Sequence, residues 1–305
     1  MSSKVLVVGS LNADLVLEVP HFPAPGETIA ARSLSKFAGG KGGNQAYGAA
    51  KLGAGVRMLG QVGDDEHGAW LRSELQSAGV DVSFVRSVAA TPSGTAMISV
   101  DAAGQNQIVI VAGANGAFGP AQLQALAPAF EGAKVVLLQL EIPLQTVELA
   151  LRLAQAEGAV VVLDPTPARP LPDTLLAADY LTPNESELCL LTGSAGAALT
   201  AREAEARARE LLACGARKVL VKMAERGALL VTPESTQAFA AHEVEAVDST
   251  AAGDAFNAGL ACGLARGLSE TRAIELAMAA GAFAVTRRGA QPSMPSPSDV
   301  EPLLA

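Results

Sequence analysis

Lys4–Ser10 reads KVLVVGS, a short run of apolar and mostly β-branched residues that ends in glycine and serine. Three further runs of this kind follow along the chain: KVVLLQL from Lys134, AVVVLDP from Ala159 and RKVLVKM from Arg217. A strand with one face in water alternates apolar and polar residues, whereas a strand covered on both faces is apolar throughout. The four runs therefore predict strands in a sheet that is buried on both faces.

The segments between these strands have the composition of helices. Pro143–Glu157 and Thr200–Cys214 are rich in Ala, Leu, Glu and Arg. Strands that alternate with helices predict an α/β domain in three layers, with a mostly parallel central sheet between two layers of helices. Ligands of such sheets bind beyond the carboxyl ends of the strands. Polar clusters follow the predicted strands there: GSLNAD from Gly9, QLE ending at Glu141, DPTPAR from Asp164 and TPNESE from Thr182.

Two segments do not alternate with helices. Leu15–Phe37 and Thr95–Ala112 have the polar alternation of strands, and VDAAGQNQIVIV predicts a hairpin that turns around Ala102–Gly104. Strands of this kind predict a small β-rich lid within the main domain. We expect one domain over residues 1–305, with lid segments at about 15–37 and 95–112.

The composition argues against several classes of protein. A net charge of −9 and a pI near 4.9 disfavour nucleic acid or a membrane surface as the main partner. The three cysteines, Cys189, Cys214 and Cys262, form no CxxC pair, so neither disulfides nor a zinc site is expected. No apolar stretch reaches the ~18 residues of a membrane span. The sequence therefore predicts a cytoplasmic protein.

Asp248–Gly267 reads DSTAAGDAFNAGLACGLARG and places a lone acid, Asp254, between three small residues and a helical pattern. The small residues leave backbone N–H groups accessible at the start of the predicted helix, which is a natural site for an anion such as phosphate. Acids are also common in the first turn of any helix. This stretch alone leaves both interpretations of Asp254 open. The small residues are Ala251, Ala252 and Gly253, and the helical pattern consists of Phe256, Leu260 and Leu264.

A second unusual stretch, FAGGKGGNQAYGAAKLGA from Phe37, has four glycines around Lys41 before a helix expected from about Asn44. It does not match the phosphate-binding P-loop, because Gly42 stands where that pattern requires Ser or Thr. The dinucleotide fingerprint is missing as well, since only Gly9 follows the first strand. A flexible turn and a close approach to a polyhydroxyl ligand both remain compatible with these glycines.

Several motifs together resemble the ribokinase family of sugar kinases, also called pfkB-type carbohydrate kinases. In chain order they are GSLNADLV, FPAPGET, FAGGKGGNQA, VGDDEHG, AGAN, QLE, TPNESE and DSTAAGDAFNAGL. The resemblance extends from about Val5 to Pro295, which is nearly the whole chain. It implies the ribokinase-like form of the three-layer fold, with a β-rich lid, and ATP-dependent phosphorylation of a sugar.

The resemblance implies roles for individual residues. Asp254 matches the catalytic base that takes the proton of the attacking sugar hydroxyl. Ala252 and Gly253 match the anion hole for the transferred phosphoryl group. Asn184 and Glu187 match an Asn-x-x-Glu motif that organises Mg²⁺ and phosphates, although the same spacing is a helix-capping box. Besides Asp254, the residues that match sugar ligands are Asn12, Asp14, Gly40, Lys41, Asn44 and Glu141.

The nucleotide loop departs from the family pattern. Family members commonly have Thr-x-Gly-x-x-Gly here, whereas this chain has KMAERG, with Lys222 in place of Thr and Ala224 in place of the first glycine. ATP is still expected to bind there, and the added lysine suits direct contact with a phosphate. The resemblance assigns ATP to Asn184, Glu187, Lys222, Ala224, Glu225, Gly227, Gly253 and Met278.

The resemblance also implies a potassium ion close to the catalytic base. A carboxylate with several oxygen dipoles can replace the hydration shell of a large cation. The alternative is that Asp248 only caps the turn before the helix. The implied cation residues are Asp248, Thr250, Ala284, Arg287, Gly289 and Ser293.

The implied reaction converts D-ribose and ATP into D-ribose 5-phosphate and ADP, with Mg²⁺ and K⁺, in a homodimer paired through the lids. The first alternative is another sugar kinase of the family, acting on deoxyribose, fructose, a ketodeoxysugar acid or a nucleoside. The second is a sugar-binding protein without catalysis, for which the altered KMAERG loop is the only support. An NAD-dependent oxidoreductase is disfavoured because the dinucleotide fingerprint is missing. Neither nucleic acid nor a membrane is expected as a partner.

Overall fold

The computed structural model describes residues 4–194, 196 and 198–304, and its strands form two separate sheets. The strands are β1 (Val5–Val8), β2 (Asn12–Glu18), β3 (Ser33–Gly39), β4 (Val56–Gly63), β5 (Asp81–Val88), β6 (Gly94–Val100), β7 (Asn106–Val111), β8 (Val135–Leu138), β9 (Val160–Leu163), β10 (Tyr180–Leu181), β11 (Val219–Lys222), β12 (Ala228–Val231) and β13 (Thr236–Phe239). The helices are α1 (Lys41–Lys51), α2 (Glu66–Ser77), α3 (Pro120–Gln124), α4 (Leu144–Ala156), α5 (Asp173–Leu176), α6 (Glu185–Leu191), α7 (Ala201–Ala213), α8 (Ala252–Ala265), α9 (Glu270–Ala284) and α10 (Pro297–Val300).

Nine strands of the described chain form the main sheet, in the order β13-β12-β11-β10-β9-β8-β1-β4-β5. Neighbouring strands from β11 to β5 are parallel, and β12 runs antiparallel to both of its neighbours. The four apolar runs of the sequence form β1, β8, β9 and β11. The predicted α/β fold with a mostly parallel sheet is therefore confirmed.

Each face of the main sheet is covered by its own group of helices, because successive residues of a strand point to opposite faces. In β1, Val5 and Val7 pack into a core with α1, α2, α8 and α9. Leu6 and Val8 pack into a second core with α3 to α7. The result is the three-layer architecture expected from the alternation of strands and helices.

The smaller sheet has the strand order β3-β2-β6-β7, and we call it the lid sheet. β2 pairs antiparallel with β3 and parallel with β6, and β6 and β7 form the predicted hairpin. The hairpin closes where the Asp101 N–H donates to the Gln105 carbonyl, and Gly104 has φ +77° there. These strands lie in the two segments that do not alternate with helices. β2, however, begins at Asn12 rather than Leu15, because its pairing with Gly39 and Gly94 extends to that residue.

Helix boundaries differ from the expectations only locally. The helices expected at Pro143–Glu157 and Thr200–Cys214 are α4 and α7. The helix expected near Asn44 already begins at Lys41. Among the helices that the structure describes, none combines the length and apolar character that a membrane span requires.

Candidate active site

A cavity of about 490 Å³, which we call the central cavity, lies where β9, β10 and β11 end. The residues that follow these strands form one side, and the starts of α1 and α8 form the other. Predicted site residues from distant parts of the sequence meet here: Lys41, Asn184, Glu187, Lys222, Ala224, Ala252, Gly253 and Asp254.

The turn before α8 exposes backbone N–H groups to the central cavity. Ala251 adopts the left-handed conformation, with φ 58°, and the helix begins at the next residue. The Ala252 N–H donates to the Ser249 carbonyl at 3.3 Å. Within the described chain, the Gly253 N–H makes no hydrogen bond, as is usual for the first residues of a helix. The Gly253 N–H therefore fits the predicted anion hole directly, whereas the Ala252 N–H first has to leave Ser249.

Asp254 is buried in the first turn of α8, and both of its carboxylate oxygens are held by amides. Asn44 Nδ2 donates to Oδ2 and Gln45 Nε2 donates to Oδ1, each at 3.0 Å. Burial raises the pKa of Asp254 to about 6, an effect that Lys41 opposes and Asp164 reinforces. Such a carboxyl is ionised at neutral pH and still basic enough to accept a proton.

Asn44 holds Asp254 with one end of its amide and leaves the other end available to a ligand. The resemblance implies that Asn44 binds the sugar, but its Nδ2 group is used to hold Asp254. Its Oδ1 atom is buried and has no hydrogen-bond partner among the described residues. A buried acceptor without a partner is costly, so this oxygen is suited to accept a hydroxyl from a ligand.

Gln45 and Asp164 form a buried network with the base that sequence reasoning missed. Gln45 Nε2 donates to Asp254 and also to Asp164 Oδ2, at 3.1 Å. Gln139 Nε2 donates to Gln45 Oε1 at 2.6 Å and thereby fixes the orientation of that amide. Lys222 Nζ lies 3.0 Å from Asp164 Oδ1. A signal for each residue is present in the sequence, because Asp164 begins the DPTPAR cluster after a predicted strand and Gln45 is next to Asn44. The sequence does not show that the two residues contact each other.

A second cavity, of about 320 Å³, lies beneath the lid sheet and is called the lid cavity. Asn12, Asn115 and Glu141 line it, together with Ile110 of β7. Glu141 Oε2 accepts hydrogen bonds from the Ser10 hydroxyl at 2.5 Å and from the Lys41 backbone N–H at 3.1 Å. Because Lys41 also lines the central cavity, Glu141 connects the two cavities.

Asn12 and Asp14 lie on β2. Asn115 Nδ2 donates to Asn12 Oδ1 at 2.8 Å and to the Leu11 carbonyl at 3.0 Å, which anchors the start of the strand. Asn115 ends the AGAN motif but was not predicted as a site residue. Burial, together with the charges of Glu141 and Asp254, raises the pKa of Asp14 to about 7. The predicted sugar ligands therefore share one acidic environment.

The glycines around Lys41 allow two backbones to approach each other. Gly40 has φ +81°, and a Cβ added there would lie 2.7 Å from the Asn12 backbone nitrogen. A Cβ added to Gly42 would lie 2.7 Å from the Ser10 nitrogen. A side chain at either position would displace α1 from the β1–β2 connection. The two glycines are thus required by packing, which places Lys41 and Asn44 at the site.

Asn184 and Glu187 form the capping box that their spacing allows. Asn184 Oδ1 accepts from the Glu187 N–H, and Glu187 Oε2 accepts from the Asn184 N–H, both at 2.8 Å. Glu187 Oε1 accepts a 2.6 Å hydrogen bond from the hydroxyl of Thr166, which also contacts Asp164. Both carboxylate oxygens of Glu187 are therefore engaged while the residue lines the central cavity.

A third cavity, of about 360 Å³, lies between the KMAERG loop and the helices α8 and α9; we call it the loop cavity. Ala224 has φ 50°, a left-handed conformation at the position where the family pattern has glycine. His242, which was not predicted, lines the loop cavity beside Met278. The residues predicted to bind ATP that line it are Lys222, Ala224, Glu225, Gly227, Gly253 and Met278, and the predicted anion-hole residue Ala252 lines it as well.

The predicted cation residues are brought together only in part. Asp248 Oδ1 accepts from the N–H and hydroxyl of Thr250, at 2.9 and 2.6 Å, and Oδ2 accepts from the Gly289 N–H at 2.8 Å. Burial acts to raise the pKa of Asp248, but these bonds outweigh it and hold the pKa below its ordinary value. Asp248 thus caps the turn and ties it to the segment 284–293. In that segment the Arg287 N–H donates to the Ala284 carbonyl, and the Ser293 hydroxyl donates to the Ala290 carbonyl.

The sequence is similar to known proteins over nearly its whole length. The family model described as pfkB family carbohydrate kinase matches residues 2–297. The ribokinase of Bacillus subtilis is 38% identical over 302 residues, which cover 99% of this chain and 99% of that protein. A deoxyribokinase of Salmonella typhimurium is 37% identical over 294 residues, covering 96% and 95% of the two chains.

A solved structure of a relative has the same fold. The structure of Arabidopsis thaliana ribokinase complexed with ribose and ATP superposes with a TM-score of 0.93 at 35% identity, covering 100% of this chain and 99% of that one. The family match and the full-length similarity agree with the order of motifs along the chain. The chain belongs to the pfkB family of carbohydrate kinases.

Proposed function

We propose that this chain transfers the γ-phosphoryl group of ATP to D-ribose, giving D-ribose 5-phosphate and ADP. The observation that carries the proposal is the position of Asp254, a buried carboxylate beside the open Gly253 N–H. A base next to an anion hole suits phosphoryl transfer to a hydroxyl. Ribose is favoured as the sugar by the similarity to ribokinases, one of which is described with ribose and ATP bound.

In the proposed reaction, Asp254 accepts the proton of the sugar hydroxyl while that oxygen bonds to the γ-phosphorus of ATP. The bond from the γ-phosphorus to the bridging oxygen of ADP breaks, and ADP leaves with the electron pair. The Gly253 N–H and the positive end of α8 stabilise the charge on the transferred group. Asn44 and Gln45 orient the carboxylate before the substrate arrives.

The sugar is proposed to bind between the lid cavity and the central cavity. Asn12 and Glu141 of the lid cavity offer acceptor oxygens, and Asn44 Oδ1 offers the buried acceptor without a partner among the described residues. Asp14 is close enough to Glu141 and Asp254 for their charges to raise its pKa, and it adds a further carboxyl group. Lys41 adds a positive charge to the site. Burial acts to lower the Lys41 pKa, but the proximity of four acids raises it above its ordinary value: Asp254, Asp164, Glu141 and Glu187. A set of paired amides and carboxylates suits a polyhydroxyl ligand, because each hydroxyl both donates and accepts.

ATP is proposed to bind with its base in the loop cavity, which the KMAERG loop and Met278 line. Its phosphates then extend into the central cavity, because Lys222, Ala252 and Gly253 line both cavities. Mg²⁺ fits Asn184 and Glu187, whose oxygens are of the type that this ion prefers. Because both Glu187 oxygens already accept hydrogen bonds, a role through bound water fits better than direct ligation. When bound, Mg²⁺ would neutralise charge on the phosphates.

K⁺ is proposed to bind beside Asp248, where the turn before α8 meets the segment 284–293. Asp248 holds the Thr250 hydroxyl at 2.6 Å and accepts from the Gly289 N–H, so a carboxylate and a hydroxyl oxygen lie together at this junction. Such a group can replace part of the hydration shell of a large cation. The ion would stabilise the turn that presents the Gly253 N–H without touching the substrates.

The lid sheet is proposed to close over the sugar and to pair with the lid of a second copy. Strand register places Met97 and Val109 on the face opposite the row formed by Asp14, Ala96 and Ile110. On this outer face two apolar side chains are exposed: Met97 is 41% and Val109 65% accessible. Large exposed apolar surfaces and open strand edges are typical of protein interfaces. A homodimer paired through the lid sheets would cover the exposed apolar side chains and an open strand edge.

The proposed activity is tested by measuring ADP release with ATP, Mg²⁺ and a panel of sugars. We expect the highest kcat/KM for ribose, with 2-deoxyribose, fructose and nucleosides as competing substrates. The matched control is Asp254→Asn, which keeps the cavities but removes the base. A higher kcat/KM for 2-deoxyribose would change the assigned substrate, and sugar binding without ADP release would refute the kinase assignment.

A further inference from the structure

Lys222 and Asp164 form an ion pair in the wall of the central cavity. Lys222 Nζ lies 3.0 Å from Asp164 Oδ1, and the side chains are 15% and 3% accessible to solvent. A second ion pair close to β11, between Lys218 and Glu270, has side chains that are each about one-third accessible to solvent. Pairing two charges away from water contributes little net stability, because their desolvation offsets their attraction. The position of the pair therefore points to a role beyond folding.

The Lys222 ammonium lies beside the amino end of α8. A Cβ added to Gly253 would be 3.3 Å from Lys222 Nζ, so this charge is adjacent to the open Gly253 N–H. Lys222 also lines both the loop cavity and the central cavity. The ammonium is therefore placed close to a group that extends from one cavity into the other.

Asp164 connects the pair to the base. Its Oδ2 accepts from Gln45 Nε2, and the same nitrogen donates to Asp254 Oδ1. The remaining oxygen, Oδ1, accepts from Lys222 and from the Thr166 hydroxyl. Because the single Thr166 proton is shared with Glu187, Asp164 securely keeps the Gln45 donor when Lys222 moves away, so the lysine can leave without stranding the carboxylate.

We propose that Lys222 is a phosphate-binding residue that Asp164 holds beside α8 until the nucleotide enters, when its ammonium transfers to the phosphates. The proposal rests on the proposed function and adds a cationic residue at a position where the family pattern has an uncharged threonine. A phosphate carries more charge than one carboxylate and competes for the ammonium in a site with little water. Asp164 is a positioning residue for Lys222 and does not itself contact the nucleotide.

The test is a double-mutant cycle read by calorimetric titration of ADP in the absence of sugar. Lys222→Met is expected to weaken ADP binding by about 10- to 100-fold, the range for loss of one charge-assisted hydrogen bond. Asp164→Asn is expected to tighten it, because the lysine then has no competing carboxylate. The double variant Asp164→Asn/Lys222→Met is decisive, since it leaves no unpaired buried charge. We expect it to bind ADP at least about tenfold more weakly than the wild type.

The matched control is Lys218→Met, which removes a paired lysine at the opposite end of β11 and should leave ADP affinity unchanged. Wild-type affinity in the double variant would overturn the proposal, because Lys222 would then serve only to neutralise Asp164. Absence of ADP binding by the wild type would overturn both this proposal and the nucleotide site. Normal ADP binding without phosphorylation of any sugar would refute the proposed function alone, since the cycle does not depend on turnover.

Discussion

Asp254→Asn tests the central claim about the site, because it removes the base while leaving its surroundings in place. The side chain is buried, and Asn44 and Gln45 hold its two oxygens. Asparagine has nearly the same shape and still accepts one of these hydrogen bonds. We therefore expect a folded protein with a thermal transition close to that of the wild type and a kcat that is lower by ~10²–10⁴-fold.

The pH dependence of the wild type provides a second measure of the same residue. With a pKa of about 6, roughly a tenth of the Asp254 carboxyls are ionised at pH 5 and about nine tenths at pH 7. Since only the ionised form can accept a proton, the contribution of Asp254 to kcat/KM for the sugar should rise about tenfold between these pH values and then level off. Asp14, with a pKa of about 7, is expected to add a second ionisation.

The assay is initial-rate ADP release at saturating ATP from pH 5 to 8, with kcat/KM taken from the dependence on ribose. Asp14→Asn is the control, because it should remove the ionisation near pH 7 and keep the one near pH 6. A kcat in Asp254→Asn close to that of the wild type would exclude Asp254 as the base. A flat profile between pH 5 and 7 in the wild type would refute the raised pKa.

Further perturbations test the loop, the cation, the lid and the anchoring of β2. Ala224→Gly removes a β-carbon from a residue with φ 50° and should raise the free energy of unfolding by about 1 kcal/mol in urea denaturation; no change would show that this conformation carries no strain. K⁺ should activate the enzyme more than tetramethylammonium at equal ionic strength, and Asp248→Ala should abolish the difference; equal wild-type rates would disprove the cation site. Val109→Lys should convert a dimer into a monomer by light scattering, and a monomeric wild type at micromolar concentration would contradict the lid interface. Asn115→Ala should raise KM for ribose by about tenfold with little change in kcat, because it frees Asn12; a change in kcat alone would argue against that role.

The boundaries of the lid show how far sequence patterns reach. The polar alternation in Leu15–Phe37 and Thr95–Ala112 placed the strands of the second sheet to within a few residues. It did not show that β2 starts at Asn12, because that start is determined by pairing with Gly39 and Gly94. Strand ends depend on partners, and the partners are distant in sequence.

The hydrogen bonds around Asp254 show the same limit of sequence patterns at the candidate active site. Asp254 was identifiable because its small neighbours and the following helix are adjacent in sequence. The motifs that contain Gln45, Asp164 and Lys222 could each be recognised in the sequence. The hydrogen bond between Gln45 and Asp164, however, joins residues 119 positions apart. No local pattern predicts such a pair, since it exists only when α1 and the end of β9 meet.

The sequence by itself determined the fold class, four strands of the main sheet with several of its helices, and the small residues and acid at the start of α8. Local patterns are sufficient there, because burial on both faces requires apolar strands and an anion site requires bare backbone N–H groups. Only the tertiary structure decided which side chains hold Asp254, that Asp248 caps its turn, and that Asp164 neutralises Lys222. These contacts depend on long-range packing, which brings the ends of β9 and β11 and the starts of α1 and α8 around one cavity.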